Sequence, residues 1–202
     1  MRVLAGMMIV VMPFVSAQSQ AVVYPTPERQ IAAAVSPLPE PLQKGARVLG
    51  YDESGKLVTL RPGTNEMICL ADDPAGKRFH VSCYHKTLDP FMSRGRELRA
   101  KKMSEALIDS TRARDVRARR FAMPAKPAVL YQYFAARDSV DPGTGAVSGA
   151  QYLYVVYTPY ATYKTTGISE APIPGGPWIM FPGTAFAHLM IAPEKPAKVE
   201  LK

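Results

Sequence analysis

The chain has 202 residues, of which 47% are hydrophobic and 21% charged, with 19 prolines and a formal net charge of +8. That apolar share excludes a chain disordered along most of its length, and the prolines argue against a helix bundle. After the first residues the best apolar run, Trp178 to Ala192, is broken by Pro182 and Gly183 and contains His188, so no later transmembrane segment is expected.

Residues 1–17 carry the parts of a secretory signal peptide. Met1-Arg2 gives a positive start, Val3 to Val15 is uncharged, and Val15-Ser16-Ala17 places short side chains at the −3 and −1 positions. Cleavage before Gln18 is expected, with the mature chain exported to the periplasm or the extracellular space. No cysteine stands at the cleavage point to take a lipid, and no twin-arginine pair is present.

Residues 18–44 read as a proline-rich arm, interrupted by Pro25, Pro27, Pro37, Pro39 and Pro41. One short helix is expected at Glu28 to Val35, since Pro27 suits a first turn and Ile31-Ala32-Ala33-Ala34 has good propensity. A single globular domain is expected over 45–193. It opens with short strands at Arg47–Tyr51 and Lys56–Leu60, separated by the turn formers Asp52-Glu53-Ser54-Gly55. Strands at Met67–Leu70 and Arg78–Cys83 follow, around Asp72-Asp73-Pro74-Ala75-Gly76. The four strands predict an antiparallel meander.

Cys69 and Cys83 are the only cysteines. A reversal near Gly76 sets them opposite one another across a hairpin, and facing residues lie within disulfide reach. In an exported chain, one disulfide is the expected outcome.

From Arg94 to Arg119 the composition turns to helix formers, and one principal basic helix is expected over 94–118. Leu98, Met103, Ala106, Leu107 and Ser110 form its apolar stripe, which fades after Ile108, so the first half is expected to pack and the second to be exposed. Ala128–Phe134 and Gln151–Tyr157 predict a second hairpin around Asp141-Pro142-Gly143. Short apolar pieces follow at Trp178–Met180 and His188–Ile191, and 194–202 read as a polar tail. The fold class expected is α+β: an antiparallel sheet, meander plus later hairpin, with that one helix.

Two stretches are candidates for binding. Arg94 to Arg120 holds ten Lys or Arg against four acids, a net of +6, and its later part contains Arg112, Arg114, Arg117, Arg119 and Arg120. Such a patch attracts polyanions, although a solvated helix face is the plainer reading. Trp178 and Phe181 lie in an apolar loop that would serve as a contact surface if exposed. Tyr131, Tyr133, Tyr152, Tyr154 and Tyr157 read as half-buried sheet residues.

Catalytic signals are weak. His80, His85 and His188 could hold a metal only if the fold gathers them, and five residues of strand put His80 and His85 on opposite faces. Ala146-Val147-Ser148-Gly149-Ala150 lacks the first glycine of a nucleophile elbow. A disulfide would block any pairing of Cys83 with His85, and Asp72-Asp73 reads as turn chemistry. The expectation is a non-catalytic envelope or secreted binding protein with no cofactor. Its partner would be an anionic envelope component or a protein, not nucleic acid. A small exported enzyme, such as a metal-assisted hydrolase, is the alternative.

Overall fold

The computed structural model describes residues 22–173, 175–193 and 197–199. The leader reading at 1–17 and most of the tail reading at 194–202 lie outside them. Helix α1 (Pro27–Val35) and the single turn α2 (Glu40–Gln43) precede β1 (Arg47–Tyr51), β2 (Leu57–Arg61), β3 (Met67–Leu70) and β4 (Arg78–His85). Helices α3 (Asp89–Ala100) and α4 (Glu105–Arg117) come next, then β5 (Ala128–Ala136), β6 (Val147–Tyr157) and the short α5 (Tyr163–Thr166). The described chain ends with β7 (Trp178–Met180), β8 (His188–Ile191) and β9 (Ala197–Val199). The fold is α+β, built on one sheet of order β2-β1-β3-β4-β5-β6-β8-β7, with β9 pairing to β6.

The first four strands are not a simple meander. β1 and β2 form the expected hairpin, its turn held by Asp52, whose Oδ1 accepts from the backbone of Ser54 and Lys56. The chain then crosses the start of β1 and lays β3 parallel to it. Gly63 permits this crossing, because a Cβ there would lie 2.8 Å from the Arg47 backbone nitrogen. The Thr64 and Asn65 N–H groups donate to the Gly45 carbonyl and fix the connection. From β3 onward the pairing is antiparallel, and the β5–β6 hairpin forms with Ala128 opposite Tyr157.

Each face of the sheet carries a core. On one face, α1 and the following residues bury Ala34, Val35 and Leu38 against Val48, Met67, Cys69 and Cys83. The proline-rich stretch is therefore packed on the sheet. Gln30 pins it: buried, it donates to the Pro25 and Tyr51 carbonyls and accepts from the Tyr51 N–H, all at 2.8 Å. Such full pairing is what a buried amide requires.

On the other face, Leu88, Phe91 and Val116 pack on Leu49, Ile68, Tyr84, Leu130, Val155 and Tyr157. Two helices form this layer, where one was expected. Helix α3 ends with Lys102 at φ 58, and the Lys102 and Met103 N–H groups return to the Arg99 and Leu98 carbonyls. That is the left-handed closure that stops a helix, and Ser104 then caps α4 by accepting from the Leu107 N–H. The break rotates the second helix. Ile108, Thr111, Asp115 and Val116 face inward, while Leu107 is 50% exposed and Ala106 and Ser110 are exposed. The expected stripe is thus replaced beyond Leu98, and the second half of the segment is packed. At the C-terminal end, Ala197–Val199 adds a short strand to β6 within what read as a tail.

Candidate functional site

The hairpin symmetry brings Cys69 and Cys83 into direct register, with Cα atoms 4.0 Å apart and both side chains fully buried at disulfide distance. The Cys83 sulfur lies 3.0 Å from the Ala34 carbonyl of α1. The pair therefore joins two strands under a helix and offers no reactive thiol to solvent.

The three histidines occupy separate positions. His80 Nε2 meets Gln132 Oε1 at 2.9 Å, and burial pushes its pKa below the usual histidine value against the opposing effect of that hydrogen bond. His85 accepts from the Thr87 N–H at the end of β4. His188 Nδ1 bonds the Phe186 carbonyl at 2.9 Å, and burial again lowers its pKa. Among the described residues, no group of three or more His, Cys, Asp or Glu is placed to hold a metal ion. Asp72 is likewise committed: it accepts two bonds from Arg137 and one from the His80 N–H.

The basic segment divides into paired and unpaired cations. Arg94 binds Asp115 and Glu97, Arg96 binds Asp89, and Arg99 grips Glu105 with two bonds. Arg112 does not belong to an exposed face. Its side chain is only 13% exposed, pairs with Asp109 at 2.7 Å, and lies 4.2 Å from the centre of the Phe91 ring. Gly95 on α3 leaves room for it, since a Cβ there would sit 3.1 Å from its Nη1. Asp115 is almost fully buried; its Oδ1 accepts no hydrogen bond and is approached by Arg120 at 3.3 Å. Arg114, Arg117 and Arg119 are exposed and have no acidic partner among the described residues. Positive charge therefore concentrates at the C-terminal end of α4, where the helix dipole favours it.

That end of α4 borders an open cleft of about 520 Å³. Arg119, Phe121, Met123 and Tyr160 line it, together with Val116 and Ala185. Phe121, Met123 and Ala185 continue into the main core, so the floor is apolar. The aromatic loop closes on the same neighbourhood. Phe181, 43% exposed, packs on Phe186 with ring centres 5.1 Å apart, and Phe186 stacks on Phe91, which meets Phe121. The Tyr160 N–H donates to Thr184, tying the two loops together. Trp178 behaves differently: it is half-buried within β7, opposite Met190.

A second cavity, of about 450 Å³, lies between the N-terminal layer and the β5–β6 turn. Its polar groups are occupied by one another. Arg137 is spent on Asp72 and on the Gly76, Asp73 and Arg78 carbonyls, while Asp141 accepts from the Gly143 and Thr144 N–H groups of its own turn. The tyrosines of β5 and β6 pack edge to face across the strands, with Tyr131 on Tyr154 and Tyr133 on Tyr152. The Tyr152 hydroxyl donates to the Pro37 carbonyl at 2.6 Å.

No family model, curated protein or solved structure matches this chain. Sequence reasoning found the basic stretch and the aromatic loop but not the cleft that Arg119, Phe121, Tyr160 and Ala185 line. Phe121, Met123 and Tyr160 were missed because each sits in a short proline-flanked connector, where no periodicity marks a contact surface.

Proposed function

We propose that this chain is an exported, non-catalytic binding protein, and that its contact surface is the cleft at the end of α4. The partner in this reading is an anionic component of the cell envelope. One observation carries it: Arg119, exposed and without an acidic partner among the described residues, lines an apolar, aromatic cleft at the end of the helix that also carries the exposed Arg114 and Arg117. Cations without partners raise the local concentration of anions, and an apolar floor rewards burial of a non-polar group. The leader-like first residues and the cysteine pair at disulfide distance support an oxidising, exported setting. No helix among the described residues is long and apolar enough to cross a membrane.

The test is co-sedimentation of the exported protein with phosphatidylglycerol-containing vesicles and with neutral phosphatidylcholine vesicles. Binding to the anionic vesicles is expected to weaken as salt shortens the screening length toward about 8 Å. Replacing Arg114, Arg117, Arg119 and Arg120 together by Gln is expected to weaken it about tenfold or more. Equal binding to both vesicle types, or binding indifferent to salt, rejects the reading. N-terminal sequencing of the exported protein is expected to start at Gln18.

A further inference from the structure

Four non-glycine residues among those described have a left-handed backbone: Lys102, Arg119, Tyr160 and Phe181. Such a conformation is costly for an L-residue, and a bulky side chain there is a true outlier. At two of these places the fold asks only for the turn. Arg119 is the residue that closes α4, its N–H returning to the Val116 carbonyl and that of Arg120 to the Asp115 carbonyl. Glycine is the usual occupant of that position. Tyr160 follows Pro159 in a turn closed by the Ala161 N–H on the Thr158 carbonyl, where glycine or asparagine is again favoured. Yet Arg119 and Tyr160 keep large side chains, both exposed, and both line the same cleft. Phe181, the third, lies in the loop tied to Tyr160 through Thr184 and meets the Phe186 ring edge to face.

We propose that these residues are retained for contact and that the cleft seats a single anionic lipid, a deepening that rests on the reading above. The phosphate of the headgroup lies against the arginines at the end of α4. The first part of the acyl chain lies on Phe121, Met123 and Tyr160. Arg119 supplies charge and Tyr160 supplies the wall; the strain in their backbones is the cost of holding both side chains over the floor.

The test separates strain from contact. The variants are Arg119→Gly and Tyr160→Gly, with Lys102→Gly as the control, because Lys102 closes α3 and does not line the cleft. Each glycine relieves a left-handed residue, so each variant is expected to raise the melting temperature by about 2–4 °C. Titration calorimetry uses lysophosphatidylglycerol below its micelle concentration. Its affinity is expected to fall about tenfold or more in Arg119→Gly and in Tyr160→Gly and to stay unchanged in Lys102→Gly. Lysophosphatidylcholine, whose quaternary ammonium cancels the phosphate charge, and inorganic phosphate, which has no acyl chain, are expected to bind far more weakly. Arg119→Asn and Tyr160→Asn, which also tolerate the turn, guard against a folding effect and are expected to lose affinity in the same way. Unchanged affinity in both glycine variants overturns the lipid seat, as does equal binding of the choline lipid or of phosphate alone. If the glycine variants keep their affinity while the fourfold arginine variant leaves anionic vesicles, surface attraction survives and the seat does not. If wild-type protein binds neither the vesicles nor the lysolipid, both readings fall.

Discussion

The β3–β4 hairpin and the end of α4 both close a chain reversal, but with different partners. The hairpin is closed mainly by its two strands: Cys69 faces Cys83, Met67 faces His85, and the turn between them is held by Asp73 and, from the far end of β5, by Arg137. The end of α4 is closed by Phe121 and Met123 from the next connector, Tyr160 from beyond β6, and Ala185 and Phe186 from before β8. The hairpin backbone stays in ordinary geometry; among the described residues, no non-glycine residue of the hairpin has positive φ. Distant partners leave the α4 end open, cationic and strained. A hairpin closed over a buried cysteine pair and an open, strained cleft are what a scaffold and a contact surface respectively require.

The largest break in this contrast is expected from Phe91→Ala. Phe91 is the hub that meets Phe121, Tyr157 and Phe186 and lies beneath Arg112. Removing a buried phenyl ring costs about 3–5 kcal/mol, so urea unfolding should shift by that amount and binding at the cleft should weaken with it. A cost below that of losing the cystine would mean that the cleft floor stands outside the main core.

Removing the pair in Cys69→Ala/Cys83→Ala is expected to cost about 3 kcal/mol, the worth of closing a loop of roughly 15 residues. Lipid affinity should remain, because the cysteines pack beneath α1 on the opposite face of the sheet from Phe91. Their effects should add with that of Phe91→Ala, since the two sites share no partner. Loss of binding in the cysteine variant would show that hairpin and cleft are coupled, and would erase the distinction between them.

Tyr152→Phe is a smaller probe. It removes the hydroxyl that donates to the Pro37 carbonyl and so loosens the N-terminal layer, at a cost of about 1 kcal/mol. A null result in thermal unfolding would mean that Gln30 and the apolar packing of Ala34, Val35 and Leu38 hold the layer without this bond.

The same contrast explains what could be read from the residues. The cysteine register was legible because it needs only alternation and a central turn at Asp72–Gly76. Helix α1 was legible as Glu28–Val35 after Pro27, but its burial was not, because the surrounding prolines fit no regular core element. The break at 101–104 was hidden because Lys102 takes a conformation that its side chain does not advertise, although Ser104 was a usable capping signal. The parallel placement of β1 and β3 turns on Gly63 passing over Arg47, a contact no local pattern encodes. The cleft was illegible for the same reason, since its wall is assembled from three separate connectors.

Acid provides the finest test. Burial lowers the pKa of both His80 and His188 below the ordinary value of 6.5. His80 faces Gln132, with Asp72 favouring its charge and Arg78 and Arg99 opposing it; His188 faces Asp109 and Arg112 in the same opposed sense. Below 6.5 the unfolded chain takes up protons that the folded chain refuses, so this stability is complete above 6.5 and drains away as pH falls. The carboxylates held low, Asp52, Asp89, Glu105 and Asp141, add their own loss only near and below their ordinary values of 3.8 to 4.5. Melting temperatures between pH 7.5 and pH 5.0, roughly the span over which an ordinary histidine charges, should therefore decline and report the histidines. His80→Gln keeps a partner for Gln132 and should flatten part of the decline on the scaffold side; His188→Gln should flatten the part belonging to the aromatic loop. A slope unaltered by His188→Gln would mean that the loop carrying Phe181 opens before the sheet unfolds, leaving His188 in water in both states.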